Sequence, residues 1–160
     1  KGFSITRVIE YIACGTGAMF PALLKQGGER LVGVDMADKM AAVAHAKFAS
    51  DPRVEVRCGD FYTLKSEPFH AALLYNAYPH FLDKEALFAK AASLLSIGGR
   101  FSIAHGMGRE TLNGHHGNVP TSVCAPLYPA AEEARRWGAW FTVDMLCDSP
   151  EFYLISGVKR

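Results

Sequence analysis

The sequence predicts a doubly wound α/β domain: a mostly parallel seven-stranded sheet closed by an antiparallel hairpin at its C-terminus. Three observations predict it. Strand-like and helix-like runs alternate over the first hundred residues, the pattern of a parallel sheet with helices on both faces. Gly15-Thr16-Gly17 falls at the junction of the first strand and the first helix. The chain ends in two β-rich runs, "AWFTVDML" and "EFYLISGVK", joined by "CDSP", which reads as a hairpin.

The elements follow in order. "TRVIEYIA" is a β-rich apolar run that reaches the glycines, and "AMFPALLKQGG" is a helix stopped by Gly27-Gly28. "RLVGVD" is a short strand ending in Asp35. "ADKMAAVAHAKFAS" places Met40, Val43, Ala44 and Phe48 on one helical face. "RVEVRC" alternates as a strand and turns at "GDFYTL". "FHAALLYN" is nearly unbroken in its apolarity, as in a strand covered on both faces. "DKEALFAKAASLLS" is a helix with Leu87, Ala91, Leu94 and Leu95 facing inward and Gly98-Gly99 as its expected C-cap. "RFSIAH" is the fifth strand. A long stretch, 105–129, rich in Gly, Asn and Pro, reads as a substrate lid carrying Arg109, His115 and His116. A helix at about 129–138 precedes the hairpin.

The 160 residues suit one domain, 1–160, with a single sizeable core. Hydrophobic residues make up 49% and charged residues 21%, an ordinary globular balance. With a net charge of +1 and no basic block, neither nucleic acid nor an anionic membrane is expected as a partner. No apolar run reaches the roughly 18 to 20 residues of a membrane span. The four cysteines are scattered, with no C-x-x-C pair, which fits a reducing cytoplasm better than a disulfide scaffold or zinc ribbon. The chain opens on Lys1 and a strand follows almost at once, so helices preceding the first strand are expected to be missing.

Ligands of such sheets sit at the carboxyl ends of the strands. Counting from Gly15, the third position of a dinucleotide fingerprint is Phe20, whose ring is at odds with the close packing that a glycine allows there. No G-K-[ST] follows, which weighs against a phosphate-binding P-loop as well. Asp35, 20 residues after Gly15, is placed to accept from ribose hydroxyls. Asp60-Phe61 offers an acceptor for an exocyclic amine and a ring for an adenine to lie against.

Together, "ACGTG" at 13–17, "VGVD" at 32–35, "RCGDF" at 57–61, "LLYNAYPHF" at 73–81 and "LLSIGGRFSIAH" at 94–105 make the chain resemble the class I S-adenosylmethionine-dependent methyltransferases, from about Arg7 to Lys159. The resemblance implies a Rossmann-like fold with S-adenosylmethionine as cofactor. It implies that the backbone of Ala13, Gly15 and Gly17 passes the methionine portion, that Asp35 with its neighbour Met36 binds the ribose side, that Asp60 and Phe61 hold the adenine, and that Asn76 stands beside the methionine group. The family's acid before the glycines is replaced by Tyr11. Glu10 lies one residue early, on the opposite face of a regular strand; a one-residue bulge is expected to bring it round.

Methyl transfer from a sulfonium asks mainly for proximity and alignment. An oxygen or nitrogen acceptor also asks for a base, and Tyr78, His80 and His105 are the candidates. No metal is expected, since the spacing of His105, His115 and His116 suits no metal geometry. The expected partner is a small-molecule methyl acceptor, with a homodimer as a further arrangement. Two other functions compete. One is S-adenosylmethionine binding or sensing without catalysis, motivated by Tyr11. The other is nicotinamide-dependent oxidoreduction, opposed by Phe20 and the closing hairpin.

Overall fold

The computed structural model describes residues 7–65 and 68–160. Thr6, with which the expected first strand opens, lies outside the described residues. The elements are β1 (Val8–Ile12), α1 (Phe20–Lys25), β2 (Arg30–Asp35), α2 (Asp38–Phe48), β3 (Val54–Cys58), β4 (Phe69–Tyr75), α3 (Lys84–Leu94), β5 (Leu95–His105), α4 (Arg109–His115), α5 (Ala130–Arg135), β6 (Phe141–Asp148) and β7 (Tyr153–Lys159). Two short 3-10 turns, Phe61–Thr63 and Tyr78–His80, follow β3 and β4.

The strands form one seven-stranded sheet in the order β3-β2-β1-β4-β5-β7-β6. The first five are parallel; β7 runs antiparallel to β5 and to β6. The order reverses between β1 and β4, and that switch point is where an open α/β sheet leaves a crevice. The seven-stranded, mostly parallel sheet closed by a C-terminal hairpin is the architecture expected from the sequence.

Two cores lie on the two faces. Val8 and Ile12 of β1, Val32 and Val34 of β2 and Ala72 and Leu74 of β4 join Leu87, Phe88, Ala91, Phe101, Trp137 and Phe141 on the α3 and α5 side. Ile9 and Tyr11 of β1 and Leu31 of β2 meet Phe20, Leu23, Leu24 and Phe48 on the α1 and α2 side. This period-two division is what a strand covered on both sides produces.

The buried stripe of α2 is Ala41, Ala44 and half-buried Phe48, while Met40 and Val43 are exposed. The stripe is thus rotated from the expected one, with Ala41 in place of Met40 and Val43 on the buried side. The long 105–129 stretch contains α4, and so is not a structureless lid. Gly98-Gly99 does not cap α3. The helix ends at Leu94, Leu95 is already extended, and β5 begins there opposite Phe69. The register is irregular between Phe69 and Ala71, and Gly98 at φ +76 absorbs the turn before pairing resumes at Arg100.

Among the described residues, β3 and β6 are the edges of the sheet. On β3, Glu55 bridges Arg30 and Arg57 at 3.3 and 2.8 Å. β6 breaks register between Val143 and Met145, and Asp144 there takes Arg100 in a two-pronged ion pair at 2.7 and 2.8 Å.

Candidate active site

β1 ends at the switch point with Ala13 at φ +53, and β4 ends beside it with Asn76 at φ +56. A left-handed conformation at a residue with a side chain costs on the order of 1 kcal/mol or more, and such residues gather at functional sites. Gly15 and Gly17 continue the turn at φ +54 and +80. A Cβ at Gly17 would stand 2.6 Å from the ring of Phe20 and 2.8 Å from that of Phe48. Phe20 is fully buried and also fills the space beside Gly33. The aromatic ring thus replaces the close strand-helix approach of a dinucleotide site, as its position in the sequence suggested. Around Gly15 there is open space among the described residues, none of which has an atom within 4 Å of where a Cβ would lie.

A cavity of ≈ 570 Å³ opens beside these strand ends, within the usual range for a small-molecule site. Ala13, Asp35, Met36, Asp60, Phe61 and His80 all line it. The Asp35 carboxylate is fixed at both oxygens: Gly15 N–H donates to Oδ2 and Ala37 N–H to Oδ1, each at 2.8 Å. These bonds tie the glycine turn to the end of β2. Each oxygen keeps a lone pair for a further donor. Asp60 caps the following turn by accepting from Tyr62 N–H at 2.9 Å, which leaves its other oxygen without a described partner. Phe61 is 4% exposed, so it is a core residue that shows the cavity only part of its ring.

Sequence reasoning missed the opposite wall, formed by Tyr62, Phe81, Leu82, Asp83 and Ala86. A signal was available: "FLDKEA" runs directly from the fourth-strand motif into a helix, and Asp83 is the N-cap of that helix, accepting from Ala86 N–H at 3.0 Å. Burial, with Asp83 and Asp60 nearby, raises the Tyr62 phenol. Three carboxylates around one cavity favour ligand hydroxyls, amines and positive charge over anions.

Asn76 is exposed at the end of β4, where its Oδ1 accepts from Gly106 N–H at 3.0 Å. The acceptor-side candidates separate sharply. His80 lines the cavity and is exposed. Tyr78 is 1% exposed and faces away from it, donating to Glu133 through its hydroxyl. Burial and Glu133 push its pKa strongly up, so Tyr78 is removed from the candidate bases. His105 is also 1% exposed, packed edge-on to Tyr153, with Nε2 lacking a partner. Burial, then His116, Lys84 and His80, lower it to about 4. It stands behind the site rather than in it. Arg109 is engaged with Asp148 at 3.3 Å, His115 is exposed at the end of α4, and His116 lies 6.0 Å from the His80 ring with Nδ1 3.2 Å from Cys124 Sγ.

The expected bulge at Glu10 is absent. β1 pairs in unbroken register, Glu10 opposite Val32 and Ala72 and Tyr11 opposite Gly33 and Leu73. Glu10 therefore stays on the α3 face, fully buried, with neither carboxylate oxygen hydrogen-bonded. Burial raises it to about 8, against the pull of Lys90 and Arg57. Tyr11 is 3% exposed, packed edge-on to Phe20. Its phenol is raised to about 12, chiefly by burial, so it supplies no charge in place of the acid.

Against this geometry, the comparisons with known proteins are direct. A family profile described as "Methyltransferase domain" matches residues 9–99, more than half of the chain, and the chain belongs to that family. No relative is found among curated proteins. Solved structures with the same fold include a chain from the complex between the Haloferax volcanii Trm112 methyltransferase activator and a methyltransferase (19% identity, 96% of this chain and 83% of that one, TM-score 0.81). An S-adenosylmethionine-dependent methyltransferase from Mesorhizobium loti is similar at 17% identity, 96% and 90% coverage and TM-score 0.73. A geranyl diphosphate C-methyltransferase from Streptomyces coelicolor, at 14% identity, 96% and 71% coverage and TM-score 0.75, was solved with Mg2+, geranyl diphosphate and S-adenosylhomocysteine. Family and neighbours alike agree with S-adenosylmethionine as the cofactor. Among the described residues no helix is long and apolar enough to cross a membrane. Nor do three His, Cys, Asp or Glu side chains there converge in a metal-binding arrangement.

Proposed function

We propose that this chain transfers a methyl group from S-adenosylmethionine to a small-molecule acceptor. The observation that carries the reading is the cavity at the β1/β4 switch, lined by Asp35 at the end of β2 and Asp60 after β3. Asp35 accepts from the ribose hydroxyls with the lone pairs left by Gly15 and Ala37. Asp60 accepts from the adenine amine, and Phe61, Phe81 and Tyr62 exclude water from the base. The open turn at Gly15, with Ala13 and Asn76, borders the methionine end. When bound, the cofactor supplies a sulfonium methyl that needs no further activation. The protein aligns the acceptor lone pair with the methyl carbon. On transfer to the acceptor the carbon–sulfur bond of the bound cofactor would break, its electron pair remaining with sulfur. His80, the one candidate base on the cavity wall, receives the acceptor proton. A net charge of +1 and the apolar wall favour a small acceptor over nucleic acid, and cysteine usage favours the cytoplasm.

Calorimetry with S-adenosylhomocysteine tests the reading. Micromolar binding is expected, weakened tenfold or more by Asp35→Ala; no binding by the unaltered protein sinks it. A second reading, cofactor binding without turnover, is favoured by the neutral, buried Tyr11 where the family carries an acid. Binding without S-adenosylhomocysteine production across a panel of acceptors would select it.

A further inference from the structure

Lys84 is in an unusual place. It is the first residue of α3, where the helix dipole disfavours a cation, and it is 8% exposed. Helix stability does not call for a lysine there. Its Nζ donates to the Tyr78 carbonyl at 2.6 Å and sits 3.7 Å from the centroid of the Tyr78 ring. The Tyr78 hydroxyl in turn donates to Glu133 of α5, a side chain 1% exposed. The same Tyr78 carbonyl accepts from Phe81 N–H at 3.1 Å, and Ala125 N–H reaches Pro79 O at 2.9 Å. Three elements thus converge on the Tyr78–His80 turn from behind. In front, that turn and its flanks supply Ala77, His80 and Phe81 to the cavity wall.

We propose that Lys84, Tyr78 and Glu133 form a buried strap that positions His80 in the cavity wall. The strap is a property of this chain's packing; its meaning for catalysis rests on the cavity being the methyl-transfer site. None of the three side chains is a catalytic residue, since none touches the cavity on the His80 side. A buried cation and a buried carboxylate joined through one tyrosine are costly to separate, so the turn is held in one arrangement while Lys84 is charged. Burial lowers Lys84 to about 8, with Glu133 raising it, Arg136 lowering it and Cys124 raising it. His105 at the end of β5 faces the same group. The strap therefore loosens just above neutral pH.

The test is NMR titration of the His80 ring, assigned by loss of its signals in His80→Asn. The unaltered protein should show two inflections, one from His80 itself and one near pH 8. Lys84→Met keeps the side-chain bulk and should abolish the second. Tyr78→Phe frees the Glu133 carboxylate to pair with Lys84 and should move the second inflection upward. Cys124→Ser should retain it, separating lysine from thiol. S-adenosylhomocysteine affinity should stay within twofold in Cys124→Ser, whose side chain is not part of the strap. A single inflection in the unaltered protein, or an unchanged second inflection in Lys84→Met, overturns the strap. Loss of S-adenosylhomocysteine binding by the unaltered protein would instead overturn the cofactor reading and leave the titration interpretable.

Discussion

Glu10 shows how one residue can settle a question that the sequence only poses. A carboxyl with an ordinary value of 4.5 sits at about 8 in the fold because burial disfavours its charge. Between those values the folded state holds a proton that the unfolded chain has released. Its contribution to stability is thus full below pH 4.5 and falls as pH rises through 8. The difference corresponds to on the order of 5 kcal/mol. Urea denaturation of Glu10→Gln across pH 5 to 9 should show most of that slope removed, with the variant the more stable of the two at pH 9. An unchanged slope would mean that Glu10 finds water or a partner. From sequence alone, Glu10 reads as a displaced cofactor acid. What sequence lacks is the pairing register, and the unbroken ladder through Glu10 and Tyr11 decides the side on which each residue falls.

At the scale of elements, the strands and the strand-end residues that line the cavity were legible because their signals are local. A strand end, a turn glycine and an acid are adjacent in the chain. Asp35, Met36, Asp60 and Phe61 all reach the cavity for that reason. The acceptor half was less legible. Tyr78, His80 and His105 look alike in a sequence, and only packing from distant α5 and β7 removes Tyr78 and His105 from the wall. The stretch after β5 gives the same lesson. Its Gly, Asn and Pro content suggests a mobile cover, yet Asn113 holds Leu127 at both backbone groups, at 2.8 and 2.9 Å, and Tyr153 donates to Tyr128 O at 2.8 Å. Asn113→Ala removes two hydrogen bonds, both to the buried Leu127 backbone, and should cost about 1–3 kcal/mol. Amide exchange over 117–128 should quicken more than that of β5. Equal acceleration of both would mean that the stretch unfolds only with the whole domain.

Across the whole molecule, one sheet divides two cores and joins them. Phe101 is fully buried between the stacked Trp137 ring at 5.0 Å and Phe141 at 5.4 Å, on the α3 and α5 side. Phe101→Ala should cost about 3–5 kcal/mol. If the domain is cooperative, amide exchange in α1, on the other face, should rise by the same factor as in β5. A rise confined to β5, β6 and β7 would mean two independently melting halves.

The two edges of that sheet carry different safeguards. β3 presents Glu55 and Arg57, with Arg30 of the neighbouring β2 joined to Glu55, and β6 interrupts its own register at Asp144. An incoming strand would have to strip charges at one border and match a kink at the other. In a crowded solution the sheet is thereby discouraged from growing into a fibril, and the protein can remain concentrated without recruiting its own copies edge to edge.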